Sequence, residues 1–121
     1  HTKETVKILE GKGVDPEIVE AIRLHNLTPY PGEQRTTKLQ HGLAAGETVT
    51  GLIIAAALVN PAKKLEAVKP KSVKKRFKEK AFARGANREI IAECEKLGIA
   101  VPDFCELSLV AMQGIAGDIG L

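Results

Sequence analysis

Three side chains stand out as candidates for metal binding in this chain of 121 residues. His1 directly precedes a segment with a helical pattern, and His25 falls at the end of the next such segment. Glu47 is the sole ionisable side chain in residues 42–58, whose composition predicts burial. A buried carboxylate without a partner is costly, so it shifts its pKa, pairs with a cation or binds a metal. Imidazole and carboxylate together suit divalent Zn, Mn or Fe.

The same residues also have ordinary structural explanations. A single His is usually a surface or capping residue, and this applies to His1, His25 and His41 taken one by one. A Glu such as Glu47 in an apolar helical run often reaches solvent or pairs with Arg or Lys. No two of these residues have a ligand spacing such as HExxH, so spacing alone is a weak indication of a metal site.

Start and stop signals indicate that helices position these residues. A first helix is predicted over residues 2–10, ended by glycines. Asp15 and Pro16 are typical of a helix start and predict a second helix that ends near residues 25–26. Residues 27–36 contain two prolines and a glycine, which predicts a loop that could overhang a site.

The rest of the chain also has helical periodicity. The pattern over residues 37–59 is interrupted softly at Gly46 and Gly51, so it predicts one kinked helix or two. Three further helices are predicted over residues 71–84, over residues 87–97, and from residue 102 onward. The apolar residues expected to face inward on the last of them are Leu107, Val110 and Ile115.

The composition favours helix packed on helix. One Tyr, three Phe and no Trp leave the core to Ala, Leu, Ile and Val. A β-sandwich usually draws on aromatic and β-branched residues, which makes that fold class unfavourable here. The length suits one domain. We therefore predict an all-α fold in a single helical domain over residues 1–121.

Positive charge is concentrated in one segment. Residues 63–84 contain ten Lys or Arg against Glu66 and Glu79, a local charge of +8 in a chain whose net charge is +3. Such a segment could contact phosphate, nucleic acid or anionic lipid, or could simply be solvated. Aromatic residues are too few among these cations for a base-stacking platform, so the solvated alternative is favoured.

Cysteine usage and hydropathy bear on the compartment. Cys94 and Cys105 lie in segments that both have a helical pattern and lack CxxC spacing, so we expect reduced, partly buried thiols in a cytoplasmic protein. No run of about 18 consecutive apolar residues occurs, so no membrane span is expected. The charged residues 1–10 do not resemble a signal peptide.

Several blocks, in this order, resemble small bacterial and archaeal HD-domain metal-dependent phosphohydrolases. The resemblance covers nearly the whole chain. The blocks are residues 1–9, 21–26 (AIRLHN), 45–53 (AGETVTGLI), 68–77 (VKPKSVKKRF) and 111–116 (AMQGIA).

The resemblance implies a compact helical bundle that holds one or two divalent ions, which activate water against a phosphate ester. His1 resembles the family's His that follows its His-Asp pair, and His25 resembles the next His. Glu47 occupies the position of the last Asp ligand. The implied metal ligands are therefore His1, His25 and Glu47, with Glu47 as the catalytic carboxylate and Mn, Fe, Zn, Co or Mg as the ion. By location, Arg23 and Arg35 are candidates for holding the substrate phosphate; the alternative is that both are solvated surface charges.

Two departures from the family pattern bear on activity. No His-Asp dipeptide occurs in the 121 residues, and by the family's order it would fall before His1. Because the chain also begins with His instead of Met, we expect it to be the C-terminal portion of a slightly larger HD domain. The second departure is Glu47 itself, which keeps the carboxylate of Asp but extends its reach by one methylene.

Three functions follow, in order of preference. The first is hydrolysis of a phosphate mono- or diester of a nucleotide or a similar small molecule. The second is a catalytically inactive HD-like module that binds nucleotides or metal and acts in regulation. The third is contact with nucleic acid through residues 63–84. The sequence leaves the substrate, the metal and the oligomeric state open.

Overall fold

The computed structural model describes residues 2–121, and every regular element within that range is helical, as predicted. His1, one of the expected metal ligands, lies outside the described residues. The α-helices are α1 (Thr2–Gly11), α2 (Pro16–Leu24), α3 (Lys38–Val59), α4 (Pro70–Lys78), α5 (Arg88–Ile91), α6 (Val101–Gln113) and α7 (Ala116–Ile119). Short 3-10 helices span Leu65–Ala67 and Ala92–Leu97.

Helices α1 and α2, which were both predicted, pack against each other. The Asp15 carboxylate accepts a hydrogen bond from the backbone N–H of Glu17 at 2.8 Å, and Pro16 occupies the first turn of α2. Asp15 thereby satisfies an N–H group that would otherwise lack a partner at the helix start. Helix α2 ends at Leu24, so His25 caps it, where the sequence predicted the end.

Helix α3 is the centre of the domain and contacts α2, α4, α5, α6 and both 3-10 helices. Its start is fixed by a capping box, in which the Thr37 hydroxyl accepts from the Gln40 N–H at 3.2 Å and the Gln40 side chain accepts from the Thr37 N–H. The helix continues through Gly46 and Gly51 as one element, so of the two predicted alternatives, one helix or two, the structure has one.

By length and composition alone, α3 is apolar enough to cross a membrane, although it contains no run of about 18 consecutive apolar residues. The central helix of a soluble protein has the same properties. Eight residues of α3 are buried against its neighbours. Six of them belong to a core that also includes Leu65, Val73, Ile91 and Leu109, each fully inaccessible to solvent.

The basic helix is shorter than the predicted range of residues 71–84. Helix α4 ends at Lys78, and residues 79–87 follow as a series of turns, which we call the wall segment. Ala83 adopts a left-handed backbone conformation with φ of 46°. That conformation is unfavourable for a residue with a Cβ atom, so tertiary contacts must hold the wall segment in place.

The predicted inward face of the last helix is wrong. Leu107 and Val110 of α6 are each 58% exposed, and Ile115 is 48% exposed. The core is instead contacted by the opposite set, Phe104, Cys105, Leu109 and Met112. Because α6 carries apolar residues on both sides, periodicity alone did not determine which side packs inward. Cys94 and Cys105 are buried free thiols, as expected.

Candidate functional site

A cleft of about 800 Å³ opens where the end of α2 meets the middle of α3 and the wall segment. We call it the α2–α3 cleft. Its polar lining comes from His25, Asn26, Arg35, Glu47 and Asn87, together with Thr28, Thr48 and Thr50. Its apolar lining includes Leu27, Ala55, Ala83, Ala86 and Ile90. The volume lies in the range typical of small-molecule sites.

The structure brings His25 and Glu47 to this one cleft, although 22 positions separate them in the sequence. His25 is half-buried, and its Nδ1 lies 2.5 Å from the carbonyl oxygen of Ile22 one turn earlier. Glu47 is exposed, so the prediction of a buried carboxylate is wrong. The reason is helical geometry: Ala45 and Val49 of α3 face the core, while Glu47 between them points to the opposite side.

Two threonines beside Glu47 contribute hydroxyl groups to the cleft. The Thr48 hydroxyl donates to the carbonyl of Ala44 at 2.7 Å, and the Thr50 hydroxyl donates to the carbonyl of Glu47 at 2.6 Å. Each hydroxyl has a single hydrogen, so both retain acceptor capacity for another group.

Arg35 lines the cleft, but most of its guanidinium is engaged with the protein. Its Nε and Nη2 donate to the two carboxylate oxygens of Glu93 at 2.7 and 2.5 Å, and its Nη1 donates to the Leu24 carbonyl at 2.8 Å. The side chain is only 7% exposed, so the alternative of a solvated surface charge does not apply. Three of its five N–H groups bond to described residues, and the other two, one on each Nη, have no acceptor among those residues.

Arg23, the other candidate phosphate contact, is not part of the cleft lining. Its guanidinium forms ion pairs with Glu20 and Glu33 and lies 4.8 Å above the ring of Tyr30. The hydrogen bonds from Arg23 lower the pKa of both carboxyl groups. These contacts join α2 to the loop that follows it.

Glu93 is a central residue that sequence reasoning missed. Besides the two bonds from Arg35, its carboxylate accepts a hydrogen bond from Nδ1 of His41 at 2.7 Å. Burial raises the pKa of Glu93, but the hydrogen bonds from Arg35 and His41 outweigh it and leave the pKa below its ordinary value. No motif could have found this network, because its members lie 52 and 58 positions from Glu93.

Arg88 is the second residue that the sequence did not single out. Its guanidinium donates to six backbone carbonyls, all within residues 76–86. Burial lowers its pKa. Arg88 therefore holds the wall segment, including Ala83 and Ala86 of the cleft, against the rest of the domain.

The basic segment is largely solvated, with a few specific contacts. Lys74 pairs with Glu106 at 3.3 Å, and Arg76 pairs with Glu79 at 3.0 Å while lying 4.4 Å from the Phe82 ring centre. Eight further Lys and Arg residues of this segment are exposed and form no ion pair with a residue in the described range. They are Lys63, Lys64, Lys69, Lys71, Lys75, Lys78, Lys80 and Arg84.

The donor set of the cleft bears on metal binding. Within residues 2–121, no group of three or more His, Cys, Asp or Glu side chains could hold an ion. This part of the chain supplies two donors to the cleft, His25 and Glu47. His1, the third expected ligand, lies outside it.

No family model, curated protein or solved structure matches this chain. The side chains of the α2–α3 cleft are therefore the features that bear on its function.

Proposed function

We propose that these residues belong to an HD-type metal-dependent phosphohydrolase whose substrate is a small phosphate mono- or diester. The observation that carries the proposal is the convergence of His25 and Glu47 on one cleft of ligand-binding size. The sequence alone predicts both side chains as metal ligands, although 22 positions separate them. Their common location is the condition that a shared catalytic site requires.

The chemistry of the two donors fits a divalent ion. An imidazole that ligates a metal through one nitrogen usually has its other nitrogen fixed by the protein. His25 has this arrangement, because its Nδ1 lies at the Ile22 carbonyl and its Nε2 is the other ring nitrogen. Glu47 makes no ion pair with any residue in the described range, so its carboxylate is not neutralised there. Bound at such donors, Mn, Fe, Zn, Co or Mg would lower the pKa of a water and stabilise charge on phosphate oxygens.

Arg35 would donate hydrogen bonds to the substrate from the two N–H groups that do not bond to Glu93 or Leu24. Its charge is partly compensated by Glu93, so its contribution would be directional hydrogen bonding to phosphate oxygens more than net attraction. Arg23 has no such position, since its guanidinium is occupied outside the cleft by Glu20 and Glu33.

The test is a metal-dependence assay on the full-length protein. After chelation, Mn²⁺ or Co²⁺ is returned and hydrolysis of p-nitrophenyl phosphate, bis-p-nitrophenyl phosphate and nucleotides is followed. We expect turnover that requires the ion and that falls by more than about 100-fold in Glu47→Gln, because even outer-shell changes cost roughly 10- to 100-fold. Glu89→Gln, an exposed carboxylate outside the cleft, is the control and should retain activity.

Absence of turnover with every ion and ester would end the catalytic proposal. The alternative is then a regulatory module that binds nucleotide or metal without hydrolysis, motivated by the missing His-Asp dipeptide. It predicts that nucleotides or Mn²⁺ raise the melting temperature, since a ligand that binds only the folded state stabilises it. Unchanged melting curves across that panel would exclude it.

Nucleic-acid contact is the remaining alternative, and the exposed cations of the basic segment motivate it. It predicts an affinity for RNA or DNA that falls steeply as salt rises, because bound counterions are released. Substituting Lys75 and Lys78 by Gln should then reduce the slope, whereas binding that is undetectable or insensitive to salt would exclude this function.

A further inference from the structure

Two asparagines line the α2–α3 cleft from different parts of the chain, and both have a fixed amide orientation. Asn26 accepts a hydrogen bond at Oδ1 from the backbone N–H of Thr28 at 3.0 Å. Asn87 accepts at Oδ1 from the backbone N–H groups of Glu89 and Ile90 at 2.9 and 3.1 Å. A backbone N–H can pair only with the oxygen of an amide, so these bonds determine which end of each side chain is the NH₂ group.

The NH₂ ends of both asparagines have no acceptor among the described residues. Neither Nδ2 donates to an acceptor in residues 2–121, although both side chains border the same cleft. Each amide therefore offers two N–H donors whose orientation the protein has already fixed. Preorganised donors of this kind bind oxygen acceptors without the entropy cost of ordering a free side chain.

Helix α3 provides the complementary groups. Thr48 and Thr50 have their only hydroxyl hydrogens engaged by backbone carbonyls, so towards a ligand their oxygens act as acceptors. The lining of the cleft thus combines N–H donors with oxygen acceptors. A group that both donates and accepts hydrogen bonds, such as an alcohol hydroxyl, fits both sets.

The cleft is also much larger than one phosphate requires. Its volume is about 800 Å³, and Leu27, Ala55 and Ile90 provide apolar surface. Small-molecule sites commonly combine an apolar wall with a few fixed polar groups. A carbon ring or chain bearing several hydroxyls would pack its C–H faces on this wall while its oxygens reach the polar groups.

We propose that the α2–α3 cleft binds a sugar-like, hydroxyl-bearing organic group, with Asn26 and Asn87 as the residues that determine specificity. Their amides donate to the sugar oxygens, and the threonine hydroxyls accept from the sugar hydroxyls. This inference rests on the proposed function, because it describes the organic part of the phosphate ester. It is independent of hydrolysis and can be tested by binding alone.

The experiment compares two phosphate esters that differ in their hydroxyl groups. Ribose 5-phosphate carries them, whereas n-butyl phosphate has a plain alkyl chain. Calorimetry with the full-length protein should show at least about tenfold tighter binding of ribose 5-phosphate, since a few net hydrogen bonds of ordinary strength supply that ratio.

Serine variants separate hydrogen bonding to the ligand from helix and turn capping. Asn26→Ser and Asn87→Ser each retain a side-chain oxygen that can accept from the backbone, but lack the amide donor. Each should reduce the preference for ribose 5-phosphate by about threefold to tenfold while leaving n-butyl phosphate binding unchanged. Asn87→Asp also keeps the cap, and it should reduce the preference for ribose 5-phosphate over n-butyl phosphate by a similar factor.

Asn60 offers a matched control. Its Oδ1 likewise accepts from a backbone N–H, that of Ala62 at 2.9 Å, but it lies in a separate groove at the end of α3. Asn60→Ser should leave the preference unchanged. A wild-type protein that binds both esters equally or binds neither overturns the proposal, as does an Asn60→Ser variant that loses the preference as strongly as Asn87→Ser.

The outcomes also separate this inference from the proposed function. A clear preference for ribose 5-phosphate without metal-dependent turnover would support the sugar-binding cleft and contradict the hydrolase. Turnover of p-nitrophenyl phosphate without any preference for hydroxyl-bearing esters would support the hydrolase and overturn the sugar-binding cleft.

Discussion

Arg35 and Glu93 form a two-point hydrogen-bonded ion pair across 58 positions of sequence. Arg35 belongs to the loop after α2, while Glu93 belongs to the 3-10 helix after α5. Because Arg35 also donates to the carbonyl of Leu24, the pair holds the end of α2 immediately before His25. The orientation of one candidate metal ligand thus depends on a carboxylate in the last third of the chain.

Glu93→Gln should destabilise the fold. The amide keeps one oxygen for Arg35 or His41, but it cannot accept from both nitrogens of Arg35 and from His41 as the carboxylate does. Loss of charge-assisted bonds at a site only 18% exposed should cost about 2 kcal/mol of unfolding free energy. Urea denaturation measures this value, and Glu89→Gln, exposed and without an ion pair in the described range, should change it by less than about 0.5 kcal/mol. Equal effects of the two substitutions would contradict a specific role for Glu93.

The contribution of Glu93 should depend on pH in a defined direction. Its folded-state pKa lies below the unfolded value of about 4.3 for Glu, because hydrogen bonds from Arg35 and His41 favour the ionised form. A lowered folded pKa adds stability above the unfolded pKa and loses it as pH falls through the folded pKa. The stability difference between wild type and Glu93→Gln should therefore be largest near neutral pH and shrink below about pH 4. Denaturation curves at several pH values measure this difference, and a difference that stayed constant over the pH range would refute this account.

Among the cations of the described residues, Arg88 should be the one whose replacement lowers the unfolding free energy most. Replacing it with Met keeps a long side chain but removes the donors to six backbone carbonyls. Buried carbonyls without partners are costly, so we expect a loss of about 3 kcal/mol or more. Arg84→Met, four positions away and exposed, is the control and should stay within about 0.5 kcal/mol. Thermal unfolding followed by circular dichroism distinguishes the two, and similar melting temperatures would contradict the proposed anchoring.

Local signals allowed much of the fold to be predicted. Asp15, Thr37 and Asn87 precede helices and accept from backbone N–H groups, and Gly98 ends a helical segment in the left-handed conformation. Helix caps and stops depend on a few neighbouring residues, so they can be predicted directly from the sequence. The prediction of which side of α6 faces inward was wrong. Two sides of this helix are apolar, and tertiary packing determines which of them contacts α4 and the rest of the core.

The candidate site was predictable in part for the same reason. His25 and Glu47 were recognisable by type and by the helices around them, and the structure brings both to the cleft. Glu93 and Arg88 were not recognisable, because their partners are set by tertiary packing. Tertiary packing also explains why α4 ends earlier than predicted. Arg88 donates to backbone carbonyls that would accept hydrogen bonds within the helix if α4 continued.

The capping box at the start of α3 offers a direct test of a local signal. Thr37→Ala removes the hydroxyl that accepts from the Gln40 N–H, and should cost about 1 kcal/mol of unfolding free energy. Thr36→Ala is the matched control, because the Thr36 side chain is exposed and only its backbone N–H bonds to Gln40. Chemical denaturation of both variants should show a lower midpoint for Thr37→Ala only. Equal midpoints would mean that core contacts alone fix the start of α3.

The two cysteines should be unreactive in the folded protein. Burial raises the pKa of the Cys94 thiol to about 11 and also raises the pKa of Cys105, and neither residue has solvent exposure. At about pH 8 only about one Cys94 in a thousand would then be the reactive thiolate, even before access is considered. Native protein should therefore react slowly with Ellman's reagent, and both thiols should react at once in guanidinium chloride. Glu95→Cys places a thiol at an exposed neighbouring position and should be labelled rapidly in the native state. Fast labelling of wild-type protein without denaturant would show that the core around α6 opens readily.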